Sequence, residues 1–296
     1  GNFRLVRIGV GGENDSWVED ILESMPDNGR KTLKLADCVD TVEEEHVEGM
    51  KEERGHDHEE HDHEEHGHDS ESDTHLDQDS DVEEEHLLQE QEVQETHSDA
   101  DSEAQTDGEH GNDSSETVSV HEIDEHVWTS PKNAEKIVER ITDLLCEADE
   151  AHAAEYQTNA VDYEQQLEEL DQEFRDVVDH SERNLLIFGD RFPFRYFADE
   201  YGLDYYAAFS GCASDTEPSA ATMAFLINKV KEEQVPTVLK MELSNDNISK
   251  AIAEAAGTDV KVFYSCHNLT VEEFENGETY LSMMKKNVET LKEVLN

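Results

Sequence analysis

The chain has 296 residues, with 76 Asp and Glu against 22 Lys and Arg, for a formal net charge of −54. That surplus excludes nucleic acid and anionic membrane surfaces as partners, because like charges repel, and it suits cations. Four cysteines without a CxxC pair do not make a disulfide scaffold, a zinc finger or a thioredoxin-type centre, and there is no run of about 18 apolar residues to span a bilayer.

The length allows one large domain or two lobes of about 100–150 residues each. The chain opens on Gly1-Asn2-Phe3, an apolar start that reads as the middle of a domain, and shows no signal peptide. An N-terminal truncation is therefore expected. Residues 3–10 are rich in Val, Ile and Leu and read as a strand. Gly11-Gly12 turns the chain, Trp17, Ile21 and Leu22 mark one face of a short helix, and residues 31–35 form a second strand candidate.

From residue 43 to 116 the apolar periodicity is lost. Glu, Asp, His, Ser and Gln dominate, and such a composition cannot bury enough surface to order itself. A short helix near residues 83–95 is conceivable within it. Residues 55–69 read GHDHEEHDHEEHGHD, and ten of the chain's 16 histidines lie between His56 and His110. His56, His58, His61, His63, His66 and His68 stand at HxH and HxxH spacings that let two neutral imidazoles reach one divalent ion even in a flexible chain. A solvated spacer is the alternative, but ordinary acidic linkers use Glu and Ser rather than His.

Order resumes at Val118. Ser130-Pro131 reads as a helix start, with Ser at the cap and Pro in the first turn, and Ala134, Ile137, Val138, Ile141 and Leu145 continue a helical stripe. Tyr156, Ala160, Tyr163, Leu167, Leu170, Phe174 and Val177 then recur at alternating spacings of four and three, which predicts an amphipathic helix about 40 Å long. After Arg183 strands and helices alternate. Strands are expected over 185–188, 205–209, 237–241 and 260–264, and helices over 192–200, 219–233, 247–256 and 277–295. This pattern predicts a parallel sheet with helices on both faces, and ligands bind beyond the C-terminal strand ends of such sheets.

Those ends supply Asp190, Cys212, Glu242, Cys266 and His267, and the preceding segment supplies His126. Carboxylate, thiolate and imidazole are the donors that suit zinc. Each residue has a plainer reading. Asp190 could cap the next helix, Glu242 could be a loop acid, and Cys266 could be a packed small side chain or the disulfide partner of Cys212. His126 could pack on Trp128.

The segment DEHVWTSPKNAEKIVERI resembles the DPHxWLDPxNA segment of the zinc and manganese solute-binding proteins of ABC importers. FGDRFPFRYFADEYGL, TEPSAATMAFLINKVKEE and YLSMMKKNVETLKEVLN resemble later parts of the same family, and an acidic histidine-rich loop before the motif is typical of its zinc-specific members. The resemblance covers essentially the whole chain. It implies an α/β protein of two lobes with parallel sheets, joined by one long rigid helix, with metal held in the inter-lobe cleft. The corresponding division is residues 1–42 and 117–150 for the N-terminal lobe, 43–116 for the metal-binding loop, 151–182 for the linking helix and 183–296 for the C-terminal lobe. His126 falls on the family's second ligand histidine, and the first lies upstream of this chain. The third, in the family's HDAFGYF, is replaced by Gly189-Asp190. The fourth, the Asp of the family's DPLG, corresponds to Ser265-Cys266-His267. The implied metal set is therefore His126, Asp190, Cys266 and His267.

The function so implied is extracytoplasmic capture of Zn2+, with Mn2+ the less suited ion, and delivery to an ABC permease. The protein would be monomeric and non-enzymatic, held at the membrane only by a lipid anchor absent from this chain. A zinc buffer or chaperone working through the histidine tract and a manganese-specific binding protein of the same family are the rival readings. A metallohydrolase is a third, with Glu217 or Glu242 as its only general-base candidates.

Overall fold

The computed structural model describes residues 31–50, 123–211, 213 and 217–296, with Ile21, Ser24 and the backbone of residues 6–9. The histidines of residues 56–68 and Cys212 lie outside the described residues. Strands β1 (Val6–Gly9) and β2 (Lys31–Lys34) pair in parallel. Helix α1 (Pro131–Ala148) packs against both. Its start is as expected: the Ser130 hydroxyl accepts from the Asn133 amide at 3.3 Å and Pro131 occupies the first turn.

Helix α2 (Ala153–Asp179) is 27 residues long, about 40 Å at 1.5 Å per residue. Leu167, Leu170, Phe174 and Val177 of the expected stripe are buried. The helix packs against α1 and against the helices of the second sheet, so it joins the two parallel sheets. This is the two-lobed α/β architecture that the sequence implies.

The second sheet contains β3 (Leu185–Phe192), β4 (Asp204–Ser210), β5 (Thr237–Lys240) and β6 (Asp259–Val262), in the order β4-β3-β5-β6 and all parallel. Helices α3 (Arg195–Tyr201), α4 (Ala220–Glu232), α5 (Asn247–Ala256), α6 (Val271–Glu275) and α7 (Tyr280–Leu295) complete the chain. The chain moves outward from β3 to β4 and then returns to the other side of β3 for β5. That reversal opens a crevice at the C-terminal strand ends.

Two departures from expectation matter for the site. Residues 43–50, which composition assigns to the acidic tract, belong to the fold: Val47 and Met50 pack into the main core, and Glu43 forms an antiparallel bridge with Ile123. Val47 and Met50 meet a core that already exists, and the Tyr205 hydroxyl and Arg195 hold Glu45. The register of β3 against β4 also slips between Phe188 and Arg191. This bulge at Gly189-Asp190 carries the strand on to Phe192, so α3 begins at Arg195 rather than near residue 192. Helix α6 was not anticipated; its Thr270–Glu273 capping box is legible only after the fact.

The bulge coincides with the closest contact between sheet and helix. A β-carbon on Gly189 would lie 2.5 Å from the Ser249 Cα and 2.8 Å from its Cβ, on α5. Successive strand residues face opposite sides, so Phe188 points away from α5, and its ring meets Phe194 and Phe263 at 5.1 and 6.1 Å. Helices thus cover both faces. Gly189→Ala is predicted to cost about 1–3 kcal/mol by overpacking and to lower the melting temperature by several degrees, with Gly189→His worse. An unchanged melting curve for Gly189→Ala would contradict this packing.

Candidate metal centre

A crevice of about 500 Å³ opens at the C-terminal ends of the second sheet, and His126, Trp128, Arg191, Glu242, Ser244, Ser265 and His267 are among the residues that line it. His126 arrives from the α1 side, at the start of a 3-10 turn (Val127–Thr129), and His267 follows β6. Their ring centroids are 6.1 Å apart, and the Trp128 ring touches both, at 5.6 Å from His126 and 5.7 Å from His267. His126 is buried and His267 is exposed, so the pair spans the depth of the crevice.

The orientation of His126 follows from Asp124. One oxygen of the Asp124 carboxylate, Oδ1, accepts both the His126 amide, at 2.8 Å, and Nδ1, at 2.9 Å. A carboxylate can only accept, so Nδ1 carries the proton, and in the neutral ring Nε2 keeps its lone pair. Asp124 is 1 % exposed. Its backbone is held in turn: its amide donates to the Val42 carbonyl at 3.0 Å, and its carbonyl accepts from the Tyr196 hydroxyl at 2.8 Å. The spacing Asp124-x-His126 was the signal available in sequence for this partner, and it went unread.

The turn that carries His267 is tied down at several points. Asn287 is fully buried and holds Tyr264 from both sides, accepting its amide at 2.7 Å and donating to its carbonyl at 2.8 Å. The Trp128 indole donates to the Ser265 carbonyl at 2.9 Å, and the Tyr280 hydroxyl donates to the Trp128 carbonyl at 2.9 Å. Glu242 accepts from Ser265 and from the His267 amide. It therefore serves the turn, a role that none of its three sequence readings names.

The other two expected ligands are placed elsewhere. The bulge turns the Asp190 carboxylate under the β5 loop, where it accepts the Met241 amide at 2.9 Å, the Ser244 hydroxyl and the Arg191 amide at 2.8 Å. It is neither in the crevice lining nor a helix cap, because its lone pairs satisfy strand-end donors. Cys266 has a left-handed backbone (φ 59°) and lines not the crevice but an adjoining depression, with His267, Tyr280 and Met283. It is a free cysteine. Burial pushes its thiol far above the ordinary range, and the charge of Glu242 adds to the shift. Position separates Cys266 from the two histidines, which both line the crevice. Among the described residues, no group of three or more His, Cys, Asp or Glu side chains is gathered closely enough to hold a metal ion.

Against this geometry the kinship of the chain is clear. The family of the zinc-uptake complex component A, periplasmic (ZnuA), matches residues 5–294. The chain belongs to that family. It is 32 % identical over 173 residues to the zinc-binding lipoprotein AdcA of Streptococcus pneumoniae, a match that covers 58 % of this chain and 34 % of that protein. It is also 32 % identical over 175 residues to the high-affinity zinc uptake system protein ZnuA of Bacillus subtilis, with 59 % of this chain and 54 % of that protein covered. The chain thus spans about a third to about half the length of these relatives. Among solved structures, the Zn(II)-bound ZnuA-like domain of pneumococcal AdcA matches with 31 % identity and a TM-score of 0.50, over 58 % of this chain and 64 % of that one. The metal-dependent lipoprotein YcdH of Bacillus subtilis matches with 31 % identity and a TM-score of 0.52, over 59 % and 65 %. Among the described residues, no helix is long and apolar enough to cross a membrane.

The placement of Cys266 has a direct chemical consequence. A raised thiol pKa leaves little thiolate at pH 8, so alkylation of Cys266 by iodoacetamide at that pH is predicted to run at least about tenfold slower than that of a small thiol of pKa about 8.5. Peptide mass spectrometry reads the rate, and labelling as fast as the small thiol would refute the assignment.

Proposed function

We propose that this chain is the extracytoplasmic binding component of an ABC-type zinc importer, and that His126 and His267 are two of the ligands by which it captures Zn2+ for a membrane permease. The observation that carries the reading is the meeting of these two imidazoles, 141 positions apart in sequence, in one crevice. Zn–N bonds of about 2.0–2.1 Å place each ring centroid about 3.2 Å from a shared ion, so at a tetrahedral angle two ligating rings lie about 5.2 Å apart; the observed 6.1 Å is about 1 Å wider, a gap that small side-chain rotations close. The Nδ1 bond to Asp124 supports it, since a ligating histidine commonly gives its other ring proton to a carboxylate. Neutral imidazole suits zinc better than the harder manganese ion. Two imidazoles leave two of four tetrahedral positions to other donors, and Asp190 and Cys266 do not line the crevice that would supply them. The chain acts by binding and release rather than by making bonds, as a solute-binding protein does.

His126→Ala and His267→Ala are each predicted to weaken the tightest zinc site at least tenfold, about 1.4 kcal/mol or more. Cys266→Ser should leave it within about threefold. Competition against a chromogenic chelator measures all three. Parent-like affinity in both histidine variants would place the site elsewhere.

The histidine tract is read as an accessory collector. The described residues break off at Met50 and resume at Ile123, three residues before His126, with the Glu43–Ile123 bridge and the Val42–Asp124 hydrogen bond holding the two segments side by side. Ions bound by the intervening sequence are joined through the chain to the residues that line the crevice, and covalent linkage raises effective concentration. Each tract site must order its own chain to bind and is weak for that reason. Deleting residues 51–118 is therefore predicted to lower the number of zinc ions bound per chain while one tight site remains by titration calorimetry. Loss of the tight site would favour the rival reading, a buffer that works through the tract.

A further inference from the structure

We propose that Glu242 is a positioning residue for His267, setting the direction from which that imidazole enters the crevice; this rests on the zinc-binding reading above. Glu242 follows β5, and the Ser265-Cys266-His267 turn follows the adjacent strand β6. Its Oε2 accepts the Ser265 amide at 2.7 Å, while Oε1 accepts the Ser265 hydroxyl at 2.7 Å and the His267 amide at 3.1 Å. One carboxylate thus holds both residues that flank Cys266.

The turn needs such a holder. Cys266 has φ 59° and Leu243, next to Glu242, has φ 58°, and non-glycine residues in this left-handed region are strained unless their surroundings hold them there. A relaxed Cys266 would rotate the peptide that leads into His267 and carry its ring away from His126. The bonds are to a charged acceptor, so they are of the stronger kind. Both carboxylate oxygens are engaged with the turn, Oε1 by two donors and Oε2 by one. The Trp128 indole on the Ser265 carbonyl locates the turn from the opposite side, so Glu242 and Trp128 together leave His267 one approach.

The test is a double-mutant cycle on the whole protein, read as Zn2+ affinity of the tightest site by chelator competition. Glu242→Gln keeps the size of the side chain but leaves one accepting oxygen and turns an NH2 group toward backbone donors. It is expected to weaken zinc about tenfold in the parent and by less than about twofold in a His267→Ala background, because a residue that acts through His267 has nothing left to position. In a His126→Ala background the tenfold effect should persist. Ser265→Ala, which removes only the hydroxyl bond, should show the same coupling at about two- to fivefold, and it carries the test should Glu242→Gln fail to fold; metal-free melting curves decide which variant is read. An equal loss in the parent and His267→Ala backgrounds would make Glu242 a ligand or a general stabiliser and overturn the proposal. So would parent-like affinity in Glu242→Gln while His267→Ala is weakened. Parent-like affinity in His267→Ala itself would instead remove the zinc reading on which the proposal stands.

Discussion

The buried carboxylate of Asp124 is the constraint on which the rest of the site depends. A charge taken out of water is costly unless hydrogen bonds replace its hydration, and Asp124 is 1 % exposed. Its oxygen is occupied by two donors of His126, and its own backbone is clamped by Val42 and Tyr196. Tyr196 also accepts the Val42 amide at 3.3 Å. One residue therefore ties Val42 to the segment before α1, joins that segment to helix α3, and orients the crevice histidine.

The second sheet solves a related problem at its own strand ends, where the last carbonyls and amides of a parallel sheet have no strand to pair with. Asp190 satisfies the amides of Arg191 and Met241, and Asn287 satisfies Tyr264. Acidic and amide side chains at these ends thus divide into those that stitch the loops and those left to face the crevice. A residue's position at a strand end does not say which group it joins. For Asp190 the β3 bulge decides, by turning its side chain beneath the β5 loop.

The same bulge brings the backbone of Gly189 against helix α5, with no room for even a β-carbon. Close backbone contact there fixes the strand end from which Asp190 and Arg191 diverge. The metal reading of this chain rests on two imidazoles brought together around Trp128.

Much of the architecture is legible in the sequence because it follows from local periodicity. The 4-3 spacing from Tyr156 to Val177 specifies helix α2, Ser130-Pro131 specifies the start of α1, and the β-rich runs after Arg183 specify the parallel sheet, since each depends on residues within a few turns of one another. His126 and His267 could be named as metal-type residues for a similar reason: imidazole at a strand end or beside a helix start has few other uses. Sequence alone could not decide which acids and thiols accompany them. Cys266 and His267 are neighbours, yet His267 lines the crevice and Cys266 does not. Glu242 and Ser265 are 23 positions apart, yet bonded. Those outcomes depend on φ at single residues, on a one-residue bulge in strand register and on contacts between distant segments, which only the packed tertiary structure sets.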